Sequence, residues 1–179
     1  MRINADFQAR AAVHFDEAPW VPSPIVGVER RMLDRVGEEV ARATSLVRYA
    51  PGSRFPSHVH GGGEEFLVLD GVFSDEGGDM PSGTYVRNPP GTSHAPSSTQ
   101  GCVLFVKLWQ FEPDDQERVK IDIGTLDLAD DRHRPGVSSA TLFERGAERT
   151  RVERWEPGAP ITLCLPHGLW VKTGHLPPG

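Results

Sequence analysis

The run His58-Val59-His60, followed by Gly61-Gly62-Gly63 and Glu64-Glu65, restricts the local fold more than any other part of this 179-residue chain. Side chains two residues apart point the same way on an extended strand and diverge on a helix. A strand therefore lets His58 and His60 present two imidazoles to one face, as a clamp for a metal ion. A glycine turn after them can return the Glu64 carboxylate toward the same point. His94 lies just past a Pro89-Pro90-Gly91 turn, at the end of a second stretch that starts at Gly83. Three imidazoles and one carboxylate suit a first-row divalent ion such as Fe, Mn, Ni, Cu or Zn.

Composition agrees with a strand-rich reading. The 19 glycines and 16 prolines favour many short strands joined by tight turns over long helices. The length fits one well-buried core, and four Trp and eight Phe supply large side chains to fill it. A net charge of −6 argues against nucleic acid as a partner, because phosphate neutralisation needs clustered Lys and Arg. The N-terminus lacks the apolar run of a signal peptide, and nowhere do about 18 apolar residues follow one another. A soluble cytoplasmic protein without a membrane partner is the expectation. Cys102 and Cys164 stand in apolar surroundings, without Cys-x-x-Cys spacing, and read as buried free thiols.

Along the chain, residues 1–26 carry Phe7, Val13, Phe15 and Trp20 and read as an extended arm over the main body. Met32–Arg35 and Ala43–Tyr49 read as two strands, with residues 36–39 as their hairpin turn. A helix from Glu29 to Arg42 is the competing reading, and Gly37 in its middle counts against it. Further strands are expected at Phe55–His60, Glu65–Leu69, Val72–Asp75 and Tyr85–Asn88. Residues 102–111 form the strongest strand, apolar on both faces, so that both should be covered, one by the core and the other by the arm or a second subunit. Lys107 is its exception, either snorkelling to solvent or reaching into a pocket. An acidic connection follows over 112–135, with a short strand at Val119–Ile123. From Gly136 the chain repeats itself: Arg154-Trp155-Glu156-Pro157-Gly158 aligns with Arg48-Tyr49-Ala50-Pro51-Gly52. In that register Cys164 and Pro166 stand where His58 and His60 stand. His167 and His175 have no partner at metal-ligand spacing and are not taken as ligands.

Together, Gly52-x5-His58-x-His60-x3-Glu64-x6-Gly71 and Gly83-x5-Pro89-x-Gly91-x2-His94 resemble the two motifs of the cupin superfamily. The wording around them resembles one branch, the ChrR-like cupins. One departure is Ser98, which stands where the second motif usually ends in Asn, a position that ligates no metal. The resemblance implies an all-β fold, a jelly-roll-like antiparallel sandwich or barrel with one metal ion in its mouth. Fe or Zn is expected there, with Mn or Ni as further options, held by His58, His60, Glu64 and His94. The divisions become an arm over 1–26, a metal-binding cupin over 27–111, a connection over 112–135, and a truncated, metal-less second cupin repeat over 136–179. That last part is expected to pack on the same core or on a dimer partner.

Two functions follow from the resemblance. One is a mononuclear non-haem Fe(II) dioxygenase that cleaves a carbon–carbon bond in a small diketone or hydroxyketone. Four protein ligands would leave up to two positions open for substrate and O₂. Strand parity offers Phe55, Phe66, Val68, Tyr85 and Trp109 as apolar walls, with Lys107 or Arg54 to hold an anionic oxygen. The other is a zinc-binding sensor. Direct sigma-factor binding is not expected, since the helical zinc domain of the anti-sigma relatives has no counterpart in the residues before Gly27, which offer His14 and no Cys. A homodimer is expected from the long apolar strand and the orphan repeat.

Overall fold

In the computed structural model, which describes residues 1–9, 11–14 and 17–159, the chain is built almost wholly of antiparallel strands. They are β1 (Arg2–Ile3), β2 (Val21–Pro22), β3 (Val28–Gly37), β4 (Ala41–Tyr49), β5 (Ser53–Arg54), β6 (His58–His60), β7 (Glu64–Asp75) and β8 (Gly78–Pro81). There follow β9 (Thr84–Asn88), β10 (Thr92–His94), β11 (Ser97–Ser98), β12 (Cys102–Leu108), β13 (Val119–Asp122), β14 (Ala129–Asp130), β15 (Val137–Arg145) and β16 (Glu148–Trp155). The described residues form two units, 1–120 and 121–159. No helix among them is long and apolar enough to cross a membrane.

The competing helix over Glu29–Arg42 does not form. β3 and β4 pair instead, and Gly37 closes the hairpin at φ 124°, with Val40 and Ala41 backbone atoms where a side chain would stand. In the first unit β12 is an inner strand, paired with β4 on one edge and β7 on the other. Its face with Cys102, Leu104 and Val106 is fully buried, and the face with Val103, Phe105 and Lys107 half-buried. The strand ends at Leu108, three residues before the predicted Phe111, because Trp109 turns the chain with φ 58°. Of the expected strand at Phe55–His60 only β6, over His58–His60, forms, while residues 55–57 lie between it and β5.

β7 decides where the site stands. Sequence reading splits it at Gly71, yet it runs unbroken from Glu64 to Asp75. Its first half pairs with β9 and β12 and its second half with β8 and β11. A bulge opposite Val103 and Leu104 supplies the bend between them, as an extra residue on one strand does. Gly71 follows at φ 72°, where a Cβ would overlap the carbonyl of Gly101. The strand thus passes from one layer to the other around a core that includes Tyr49, Phe66, Val68, Phe73 and Leu104. Phe73 meets Phe66 at 5.0 Å and Tyr49 at 5.7 Å, edge to face. Each such buried ring contributes about 1.5–3 kcal/mol.

In the second unit β15 pairs with β14 and β16. Arg134 fastens it internally, with 2.7 Å contacts to Asp131 and Glu153. Cys102 is a buried free thiol, its titration pushed up to about 11 by burial. Cys164, Pro166, His167 and His175 lie outside the described residues.

Candidate metal centre

A two-stranded ribbon assembles the site. β6 pairs with β10 so that His58 faces His94 and His60 faces Thr92. Residues paired across strands share a face, and so His58, His60 and His94 turn inward while Val59, between the first two, stays 66% exposed. The ring-nitrogen positions of the three histidines lie within 4.8 Å of one another. His60 Nε2 and His94 Nε2 are 2.9 Å apart. Glu64 Oε2 lies 3.3 Å from the first and 3.5 Å from the second.

The glycine triplet makes the link from His60 to Glu64. Gly63 N donates to the His60 carbonyl, and Gly63 itself sits at φ 77°. The rings of Trp109 and Phe111 lie flat against this turn: a Cβ on Gly61 would meet Trp109 at 3.1 Å, one on Gly62 would overlap the indole, and one on Gly63 would overlap Phe111. Three glycines stand there because two aromatic rings occupy the space where side chains would be.

The tautomers are fixed from outside. His58 Nδ1 lies 2.9 Å from the Pro56 carbonyl, which can only accept, so Nδ1 carries the proton and Nε2 keeps its lone pair. His94 Nδ1 faces Asp75 Oδ2 at 3.3 Å in the same way. Imidazoles that ligate metals are oriented through just such partners. Asn88 Nδ2 donates to Glu64 Oε2 over 3.4 Å. Burial, reinforced by His94 and His58, pulls His60 down to about 3, and burial also lowers His94 against the opposing pull of Asp75. Both rings are therefore neutral at pH 7, the form that binds metal. Burial pushes Glu64 up to about 7, with Asn88 opposing and Asp75 adding to the rise.

These donors fit a divalent ion. Ligand atoms about 2.1 Å from a metal sit about 3.0 Å apart along an octahedral edge and about 3.4 Å apart on a tetrahedron. The separations of 2.9, 3.3 and 3.5 Å lie in that range or within about 0.1 Å of it. Without a cation, lone pairs would face one another in a buried space, an arrangement with no gain for a core. A cavity of about 170 Å³ opens onto His60 and His94, with Asp75, Glu76, Asn88, Thr92, Ser93 and Arg118 around it.

The other predicted residues scatter. Phe55 stands beside the site, its ring 4.7 Å from that of His58. Phe66 and Val68 share the inward face of β7 with Glu64 but lie in the core. Tyr85 and Lys107 are on the opposite face: Tyr85 pairs with Leu67 and donates to Glu65, and Lys107 pairs with Glu65. Arg54 is exposed on β5, and Trp109 covers the glycine turn at 46% exposure. Sequence reasoning missed Asp75, Asn88 and Phe73, whose ring is 5.9 Å from His94. Asn88 alone had a signal, its place just before the Pro-Pro-Gly turn.

Over residues 8–112, more than half of its length, the chain matches the ChrR cupin-like domain. It belongs to that family. No curated protein matches. Among solved structures, this ChrR-like cupin is similar to the anti-sigma protein ChrR of Rhodobacter sphaeroides, crystallised with SigE, at 25% identity and TM-score 0.46. That match covers 53% of this chain and about half of the other, 51%. A candidate acetylacetone dioxygenase from Methylibium petroleiphilum matches at 19% identity and TM-score 0.51, over 64% of this chain and 91% of that one. A candidate glyoxylate-induced protein from Pseudomonas aeruginosa matches at 17% identity and TM-score 0.58, over 78% and 60%. The last two, with TM-scores above 0.5, agree with the cupin fold that the family match gives.

Proposed function

We propose that His58, His60 and His94, through Nε2, and Glu64, through its carboxylate, hold one divalent metal ion per chain, and that the protein is a mononuclear non-haem Fe(II) dioxygenase acting on a small diketone or hydroxyketone. The cavity carries the enzymatic reading. Structural metal sites are closed by protein ligands, whereas catalytic ones keep a position open, and here space opens onto two of the imidazoles. The structural relative named as a candidate acetylacetone dioxygenase supports the substrate class.

When bound, the metal supplies Lewis-acid activation and a template for substrate and O₂. The chain's own residues do the rest. The Pro56 carbonyl and Asp75 hold the His58 and His94 rings in register. Asn88 steadies Glu64 and, with Thr92 and Ser93, offers polar atoms to a substrate in the cavity. Phe55 and Phe73, packed on the imidazoles, keep water from their flanks.

The second reading is a zinc-binding sensor cupin, favoured by one observation: three imidazoles and a carboxylate already complete a tetrahedral zinc shell. Metal analysis of protein purified without a chelating tag separates the two. Stoichiometric iron, with O₂ uptake when a diketone is added, is the expected result. Tightly held zinc that no diketone disturbs would sink the enzyme. The homodimer expected from β12 belongs to the same reading, and a monomeric mass by light scattering overturns it.

A further inference from the structure

The cavity beside the imidazoles is walled by polar side chains, in contrast to the apolar walls that strand parity offers. Its rim carries two carboxylates and one guanidinium. Both carboxylates are engaged. Asp75 Oδ1 accepts from Gly77 N at 2.7 Å and Asp75 Oδ2 faces His94 Nδ1, while Glu76 accepts from Ala95 N through both oxygens, at 2.9 and 3.2 Å. Arg118 is not: among the described residues it forms no hydrogen bond or ion pair.

The backbone that carries Arg118 is anchored on both sides. Three residues before it, Asp115 is 1% exposed and paired at 2.8 Å with Arg87, whose guanidinium lies over Phe111. Asp115 also accepts from Glu117 N at 2.9 Å, and β13 begins at Val119. A buried anchor on one side and a strand on the other hold the backbone of Arg118 at the cavity mouth. The guanidinium itself is exposed and, among the described residues, unpartnered at the rim of a polar space, where a carboxylate matches it, since its planar fork binds one through two hydrogen bonds. The volume of about 170 Å³ is below the roughly 300–1,000 Å³ of pockets for drug-sized ligands, and it admits a molecule of a few carbons.

We infer that Arg118 is a specificity-determining residue that selects a small oxo acid, a diketone or hydroxyketone bearing a carboxylate. This rests on the metal centre proposed above and names the substrate class for it. The test loads the full chain with Co(II) and follows its visible absorption while acetylpyruvate or acetylacetone is added. The two share one diketone unit, and only the first carries the carboxylate. Acetylpyruvate is expected to bind about ten- to a hundredfold more tightly, as a hydrogen-bonded charge pair does. Arg118→Gln should abolish that preference while leaving acetylacetone binding and the Co(II) spectrum unchanged, and Arg118→Lys should restore part of it. Equal binding of the two probes, or a preference that survives Arg118→Gln, overturns the inference and leaves the metal centre standing. Failure of Co(II) to bind at all overturns both.

Discussion

Two ribbons in this chain are built alike and used differently. In the first, β2 pairs with β3 at Glu29 and Arg30; in the second, β14 pairs with β15 at Ser138 and Ser139. Val28 faces Tyr49, and Val137 faces Trp155. A register shift falls between Met32 and Asp34 in one and between Thr141 and Phe143 in the other. Gly27 and Gly136 enter the ribbons at φ 80° and 77°, and their carbonyls each accept a 2.8 Å bond, from Ala50 N and Glu156 N. Surroundings separate them. β4 gains β12 as a second neighbour and buries most of its residues, among them Ala43, Leu46 and Tyr49. β16 gains no second neighbour among the described residues and has no fully buried residue. Pairing therefore makes a ribbon, and only the strands that follow turn it into a layer with a site behind it.

The sharpest break of this comparison is at the ligands. His58→Ala or His94→Ala should remove most of the bound metal, whereas Cys164→Ser, at the position aligned with His58, should leave it unchanged. Elemental analysis reads all three, and normal occupancy in both histidine variants would refute the ligand set. Next comes the carboxylate behind His94. Asp75→Asn should weaken metal binding about 10–100-fold with the unfolding midpoint retained, as a competition titration with a chelator would show.

The turns give smaller effects. Gly62→Ala places a methyl group in the Trp109 indole and should cost about 1–3 kcal/mol by overpacking. Trp109→Ala in the same chain should recover much of that loss, because contacting residues are not additive. Simple additivity in denaturant unfolding would show that the ring is not the obstacle. Gly146, at φ 58° in the hairpin of the second ribbon, has nothing within 4 Å. Its change to Ala should cost about 1 kcal/mol of left-handed backbone strain, confined to the second unit in hydrogen exchange, and an effect at β6 or β10 would speak against two separate units.

The shared face of His58 and His60 was legible in the sequence because two residues apart on a strand is one face, whatever the rest of the fold does; that His94 lies opposite His58 depends on the pairing of β6 with β10. The hairpin of β3 and β4 was legible for a similar local reason. The pocket was not. Tyr85 read as a wall residue and Lys107 as a contact for an anionic oxygen because both sit on strands beside the motif, yet facing is set by register, and pairing with Leu67 and Glu65 turns them away from Glu64. Asp75 was invisible because Gly71 looks like a break between strands. In the fold it follows a bend, and β7 continues past it to bring a second carboxylate to His94. Arg118 belongs to an acidic connection without periodicity, and only the buried pair of Arg87 with Asp115 gives it a place.

Trp109 lies on the turn that joins His60 to Glu64, half open to solvent. The chain thus carries a native optical probe at its own metal loop. An ion with a partly filled d shell should quench the emission of this indole, and zinc should leave it bright. Comparing the chain with its Trp109→Phe variant isolates that signal from the other three tryptophans, so that light emitted by the protein itself would distinguish the iron and zinc readings proposed for the site.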